Sequence, residues 1–335
     1  MSKPGRSPFL HVANGTCTIR LIEAAGIPGA WSIWADPLYE GPVPGGLSDA
    51  ELVEVRVRHL SGPDAQVDAD PVNDLRKWRT AIERHESYDE LILWFEHDLF
   101  DQLNLVQLLT CIRERVPAEK PVGLVCIGSF PGRPRFKGLG ELSPGELATL
   151  VGTRQRIGEA HHALAARAWD AFRAPTPEGL DALRRDDTSA LPFLAPAITR
   201  FLQEYPWTAD GLSRTERRLL QLAERGIDLA AAFPRMHEDE DAYYVTDLSL
   251  ADLARALSLT SPPLVRFAPG AGPRDSLEGS VTLTDVGRAV LAGERDRVEA
   301  CGIDRWLGGV HLHGSDGIWR WDDEGRRIIC TAETA

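Results

Sequence analysis

The 335 residues carry 37 Lys and Arg against 50 Asp and Glu, a formal net charge of −13. Nucleic-acid affinity rests largely on neutralising phosphates, so this balance disfavours DNA as a main partner and leaves it only a local basic face. The length exceeds the usual span of one hydrophobic core, which predicts two or three domains, and no run approaches the roughly 18 to 20 apolar residues of a membrane span.

The opening MSKPGRSPFLHVANG lacks the apolar core of a signal peptide. The five cysteines, at 17, 111, 126, 301 and 330, include no CxxC pair. Reduced thiols, a cytoplasmic location and no cysteine-held zinc are therefore expected.

From residue 9 to about 128, short apolar runs alternate with helical patterns, as in βαβ units with a parallel sheet. The runs are FLHVA (9–13), WSIWA (31–35), LILWF (91–95) and VGLVCI (122–127). TIRLIEAAG reads as a helix closed by Gly26. LSDAELVEVRVRHL opens with Ser48 and Glu51 in capping-box spacing, and PVNDLRKWRTAIERH follows as a second helix. After Asp98, apolar residues at 99, 103, 106, 109, 112 and 116 form one stripe of an amphipathic helix.

The glycine- and proline-rich stretch SFPGRPRFKGLGEL (129–142) predicts a loop, and it carries Arg133, Arg135 and Lys137. Ser143-Pro144-Gly145-Glu146 predicts a long helix through about Arg173, followed by a helical stretch at about 190–205. A further capping box at Ser213 and Glu216 leads into RRLLQLAERG. Ser249 and Asp252 open LADLARALSL; LVRF (264–267) and SVTLTDVGRAVLAG (280–293) follow, the second passing from strand to helix. That succession has the order of a winged helix. The end of the chain predicts a β-hairpin around Ser315-Asp316-Gly317, with Trp319 and Trp321 on one face.

The expected architecture is thus α/β: an open, parallel, Rossmann-like sheet of about four strands in 1–142, a helical connecting region in 143–211, and a winged-helix-like α+β domain in 212–335. In such a sheet, ligands settle beyond the carboxyl ends of the strands. All four exits are polar: Asn14-Gly15-Thr16, Asp36, Glu96-His97-Asp98, and Gly128-Ser129.

Each of these residues has two readings. Asn14-Gly15-Thr16 is either a phosphate-approaching turn or an ordinary helix entry capped by Thr16 or Thr18. Asp36 suits a ribose-binding carboxylate by its spacing from Gly15, or a turn before Pro37. Asp98 is a catalytic residue or a helix N-cap, with Asp101 near the positive end of the dipole. A buried Glu96 would gain a raised pKa and act as general base, with His97 as its acid or orienting partner; otherwise it pairs with the 133–137 loop, whose three basic residues either hold an anion or are merely solvated.

Metal binding is not expected. His161 and His162 diverge on a helix, and His311 and His313 share a strand face with no carboxylate tied to them by spacing. The sequence does not identify a cofactor: with one of the three glycines of a dinucleotide fingerprint, spacing alone does not establish NAD binding.

The strings HVANGT, WADPLYEGPVP, LILWFEHDLFDQLNL, LPFLAP through DGLSRTE, RWLGGVHLHG and WRWD resemble a bacterial family, the domain of unknown function 1835 proteins, over most of the chain. Thr16 stands where an Asn-Gly-Asp turn would be expected. The resemblance implies a shared fold and one site formed by Asn14, Asp36, Glu40, Glu96, His97, Asp98 and Gln102. It carries no activity with it.

Two functions follow from these readings. One is an enzyme, a hydrolase or transferase, acting on a nucleotide or other anionic metabolite through Glu96, His97 and Asp98, with Arg133, Arg135 and Lys137 closing over the anion. The other is a ligand-responsive regulator whose C-terminal domain contacts a protein partner, or DNA despite Asp252 and the HEDED run at 237–241 beside a single Arg255.

Overall fold

The computed structural model describes residues 7–62, 70–242, 245–272 and 277–331. In chain order the first part comprises β1 (Ser7–Ala13), α1 (Thr16–Ala24), β2 (Ala30–Ile33), β3 (Gly41–Pro42), α2 (Asp49–Leu60), α3 (Pro71–Glu83), β4 (Tyr88–Glu96), α4 (Leu99–Arg115) and β5 (Val122–Ile127). Next come α5 (Pro144–Leu150), β6 (Gln155–Arg156), α6 (Glu159–Arg173), α7 (Glu178–Leu183), α8 (Leu194–Leu202) and α9 (Arg214–Leu222). The rest is β7 (Ile227–Asp228), α10 (Leu229–Met236), α11 (Asp247–Leu259), β8 (Val265–Pro269), β9 (Gly279–Leu283), α12 (Asp285–Leu291), α13 (Arg297–Cys301), β10 (Ile303–Gly308), β11 (Val310–Gly314), β12 (Trp319–Asp322) and β13 (Arg327–Cys330).

The main sheet has the order β2-β1-β4-β5-β6. Its first four strands are parallel and β6 runs antiparallel at the edge. Both faces are covered, which is why the strands read as continuous apolar runs. Alternation on β4 sends Leu91, Leu93 and Phe95 to a core that also holds Leu103 and Val106 of α4, and Ile92 and Trp94 to a second core built with Ile19 of α1 and Leu147 of α5. The chain leaves β1 toward β2 on one side and later adds β4 and β5 on the other. The order therefore reverses between β1 and β4, where a doubly wound sheet opens its crevice.

Three expectations are corrected. The long helix from 143 to 173 is two helices, because Gln155-Arg156 pairs antiparallel with Gly123-Leu124 and interrupts it. The helix expected to start at Ser249 starts at Asp247, since Thr246 is its N-cap and accepts the Ser249 N–H. Ser315-Asp316-Gly317 is not a hairpin turn: β10 pairs with β11 and β12 with β13, so two hairpins flank it. The true first turn runs through Gly308, whose φ of 60° lies in the left-handed region and suits glycine.

The C-terminal part contains a largely antiparallel set of strands, including a small sheet of order β7-β9-β8. A buried ionic network fastens it to the middle helices. Arg200 of α8 donates to Glu240 at 2.8 and 3.0 Å, to Glu204 at 2.5 Å and to Thr215 at 2.9 Å, and Glu204 also takes Arg305 of β10 at 3.2 Å. Among the described residues no helix is long and apolar enough to cross a membrane.

Removing Arg200 would leave Glu204 and Glu240 buried with their main countercharge gone. Arg200→Ala is expected to cost about 3–5 kcal/mol of folding stability, measured by urea unfolding; a loss under about 1 kcal/mol would contradict this account of the network.

Candidate functional site

The first turns of α4 hold the carboxyl ends of the parallel strands. Asp98 caps the helix, its carboxylate accepting the Asp101 N–H at 2.8 Å, as an N-cap aspartate does. Asp101 is fully buried; one of its oxygens accepts from Asn14 beyond β1 at 2.7 Å and the other from the Glu96 N–H at 2.5 Å. Gln102 donates to the Glu96 carbonyl at 2.6 Å and to Cys126 Sγ of β5 at 3.4 Å. Asn104 brackets Asp36 beyond β2, accepting its N–H and donating to its carbonyl, each at 2.9 Å.

Glu96, Asp98 and Asp101 are all buried. Among the described residues none of the three forms an ion pair with a basic side chain. Burial, with the Asp98 charge adding to it, pushes the Glu96 carboxyl up to about 8, against the pull of the Leu139 N–H. Burial likewise raises Asp98 to about 6, opposed by the N–H groups of Asp101 and Phe100. Asp101 is held well above its ordinary range by burial and then by its two acidic neighbours. Ionisation of the cluster is thus disfavoured, because three charges in so dry a place would repel and lack solvation.

The segment after β5 lies on Glu96. The Leu139 N–H donates to Glu96 Oε1 at 2.6 Å, and a methyl group at Gly138 would collide with Oε2. A larger residue here would push the Glu96 carboxyl aside. Glu96 and His97 form no acid–base hydrogen bond with each other: His97 instead lies against Phe136 and Phe193, with ring centroids 6.4 and 6.1 Å away. Burial lowers the His97 pKa, partly offset by the Asp241 charge.

The exits expected to share one hollow open on two. A cleft of about 540 Å³ lies between the β2 exit and the C-terminal part, where Asp36, Tyr39, Glu40, Trp78 and Phe100 face Ser249 and Asp252 of α11. Glu40 reaches across it to accept the Ser249 hydroxyl at 3.0 Å. A smaller hollow of about 260 Å³ lies beyond β5, lined by His97, Gly128, Ser129, Arg133, Arg135, Lys137, Glu238 and Asp241. Asn14, Glu96, Asp98 and Gln102 lie in the packed region near the first turn of α4 and line neither hollow.

Several expected ligand contacts are already engaged within the chain. Asp36 is neither a simple turn residue nor an open carboxylate: Arg56 grips it at 2.7 and 3.0 Å in a fully buried pair and also donates to the Glu40 carbonyl at 2.6 Å. Arg133 pairs with Glu146 at 2.9 Å. Lys137 donates to the carbonyls of His237 and Glu240 at 3.1 and 2.6 Å. Arg135 is exposed at the rim. Gly15 is the N-cap of α1 without a side-chain bond, and Thr16, its first residue, is exposed.

Sequence reasoning missed Asn104, Arg56 and the aromatic wall of Tyr39, Trp78 and Phe100. It gave Asp101 only a dipole role. The available signal was a helix carrying Asp101, Gln102, Asn104 and Gln107 amid leucines, a polar set that is almost wholly buried. Among the described residues the group whose donor atoms converge as metal ligands do is Asp304, His311 and His313, within 4.8 Å of one another.

No family model matches this chain, and a search of the curated proteins finds no match either.

Because the folded protein raises the Glu96 pKa above its ordinary 4.5, to about 8, the stability this residue contributes is complete below pH 4.5 and is lost as pH rises from there through 8. Glu96→Gln mimics the protonated state. Between pH 5 and 9 the melting temperature of the wild type is expected to fall relative to that of the variant; parallel curves would refute the assignment.

Proposed function

We propose that this chain is a cytoplasmic small-molecule-binding protein of the doubly wound α/β type, and an enzyme acting on a nucleotide or another anionic metabolite. The single observation that carries the reading is Glu96, a buried carboxyl of raised pKa at the point where strand order reverses, covered by the backbone of Gly138 and Leu139. A carboxyl group poised near neutrality is suited to giving and taking a proton. In this reading the 129–142 segment lifts to admit substrate, Arg135 and Ser129 meet the anion, and Asp98 holds the helix end in place. The strings WADPLYEGPVP and WFEHDLFDQ support membership in the domain of unknown function 1835 proteins.

The test is a panel of nucleotides and sugar phosphates read by melting temperature, with the wild type beside Arg135→Ala and Glu96→Gln. A ligand at 100 times its Kd stabilises by about 2.7 kcal/mol. A shift that Arg135→Ala weakens, with turnover abolished in Glu96→Gln, is expected; no shift across the panel counts against the proposal.

A second reading is favoured by the wide cleft, because the first turn of α11 forms one of its walls. The order α9, β7, α10, α11, β8, β9 with a β7-β9-β8 sheet supports the winged-helix reading of this part. A ligand in the cleft would then bias how this module meets a protein partner. DNA reading is disfavoured: the N-terminal end of a recognition helix contacts base edges, yet here Ser249 and Asp252 face the α/β domain and Arg255 lies over Phe267 at 5.7 Å. Washing from immobilised duplex DNA at about 150 mM salt is expected; retention there would reinstate DNA as a partner.

A further inference from the structure

We propose that Asp304, His311 and His313 form a binding site for one divalent transition-metal ion of the zinc class on the outer face of the β10–β11 hairpin. Antiparallel pairing sets Asp304 opposite His313 and Trp306 opposite His311. Since side chains alternate along a strand, these four share one face, while Leu307, Val310 and Leu312 pack into the core on the other. The sequence shows two histidines in alternation and hides the carboxylate, which pairing supplies from seven positions upstream.

The geometry is close to that of a bound ion. Asp304 Oδ1 lies 2.7 Å from His311 Nε2, and Asp304 Oδ2 lies 3.6 Å from His313 Nδ1; all three donors fall within 4.8 Å. An ion with bonds of about 2.0–2.2 Å sets its donors about 3.3–3.5 Å apart, so it would replace the Asp304–His311 hydrogen bond and draw three exposed side chains into its own geometry. The His311 ring is held in plane by stacking on Trp306, centroids 4.5 Å apart and tilted by 2°, which lowers the entropy lost on binding. Two imidazoles and one carboxylate favour zinc, nickel, cobalt or copper over magnesium or calcium, which prefer all-oxygen sites. The remaining coordination positions face solvent and would hold water.

The alternative is a surface aspartate merely bonded to His311, and the two differ in what they predict for metal. The full chain, freed of metal with a chelator, is titrated with cobalt while the ligand-field absorption is followed, then with zinc against a chromophoric indicator. One equivalent of zinc binding at micromolar Kd or tighter, undiminished by millimolar magnesium, is expected. His313→Ala and Asp304→Asn, both at exposed positions, should each weaken it at least tenfold without moving the metal-free melting temperature. His162→Ala, on α6, should leave it unchanged. Wild-type binding no tighter than that of His313→Ala, or weaker than millimolar, would overturn the proposal.

Discussion

The structure depends on a helix start that is polar and buried at once. Backbone groups at the carboxyl end of a parallel sheet must find partners, and in this protein the side chains of α4 provide many of them. Asp101 serves β1 and β4, Gln102 serves β4 and β5, and Asn104 serves the exit of β2. Each bond contributes only about 1 kcal/mol, but an orphaned partner in so dry a place would cost more than that. The four strand ends are therefore registered against one helix. That arrangement carries an electrostatic cost, because it brings three buried carboxyl groups together with no basic partner among the described residues and pushes their pKa values up.

That cost is also where chemistry becomes available. A carboxyl group whose proton affinity lies near neutrality is unusual on purely structural grounds, whereas the Asp36–Arg56 pair twenty residues apart is a familiar way to bury a charge with its counterion. The same edge of the sheet uses both solutions. The paired acid anchors the loop between β2 and β3, and one of the others, Glu96, faces the segment that follows β5.

The sheet was readable from residue patterns because its strands are buried on both faces and so appear as unbroken apolar runs. The capping boxes at Ser48, Ser143 and Ser213 were readable for a related reason, since a cap is a local event with local spelling. The polar character of the strand exits was legible as well. Their distribution between two hollows was not, because it depends on where α11 docks, more than 200 positions from Glu40. The C-terminal hairpins were misassigned because Ser-Asp-Gly spells a turn more strongly than Leu-Gly-Gly does. The β6 interruption was invisible because two residues carry too little periodicity. Asp304 escaped notice because cross-strand partners are set by register, which short spacing rules do not capture.

The 129–142 segment is fastened at two places. Leu139 holds Glu96 in the sheet, while Lys137, two positions earlier, grips the carbonyls of His237 and Glu240 in the far half of the chain. Glu240 is itself locked to Arg200. The cover over Glu96 and the seam with the far half are therefore held by one short stretch, so that lifting it, as the proposed substrate entry would require, would strain the Lys137 bonds as well.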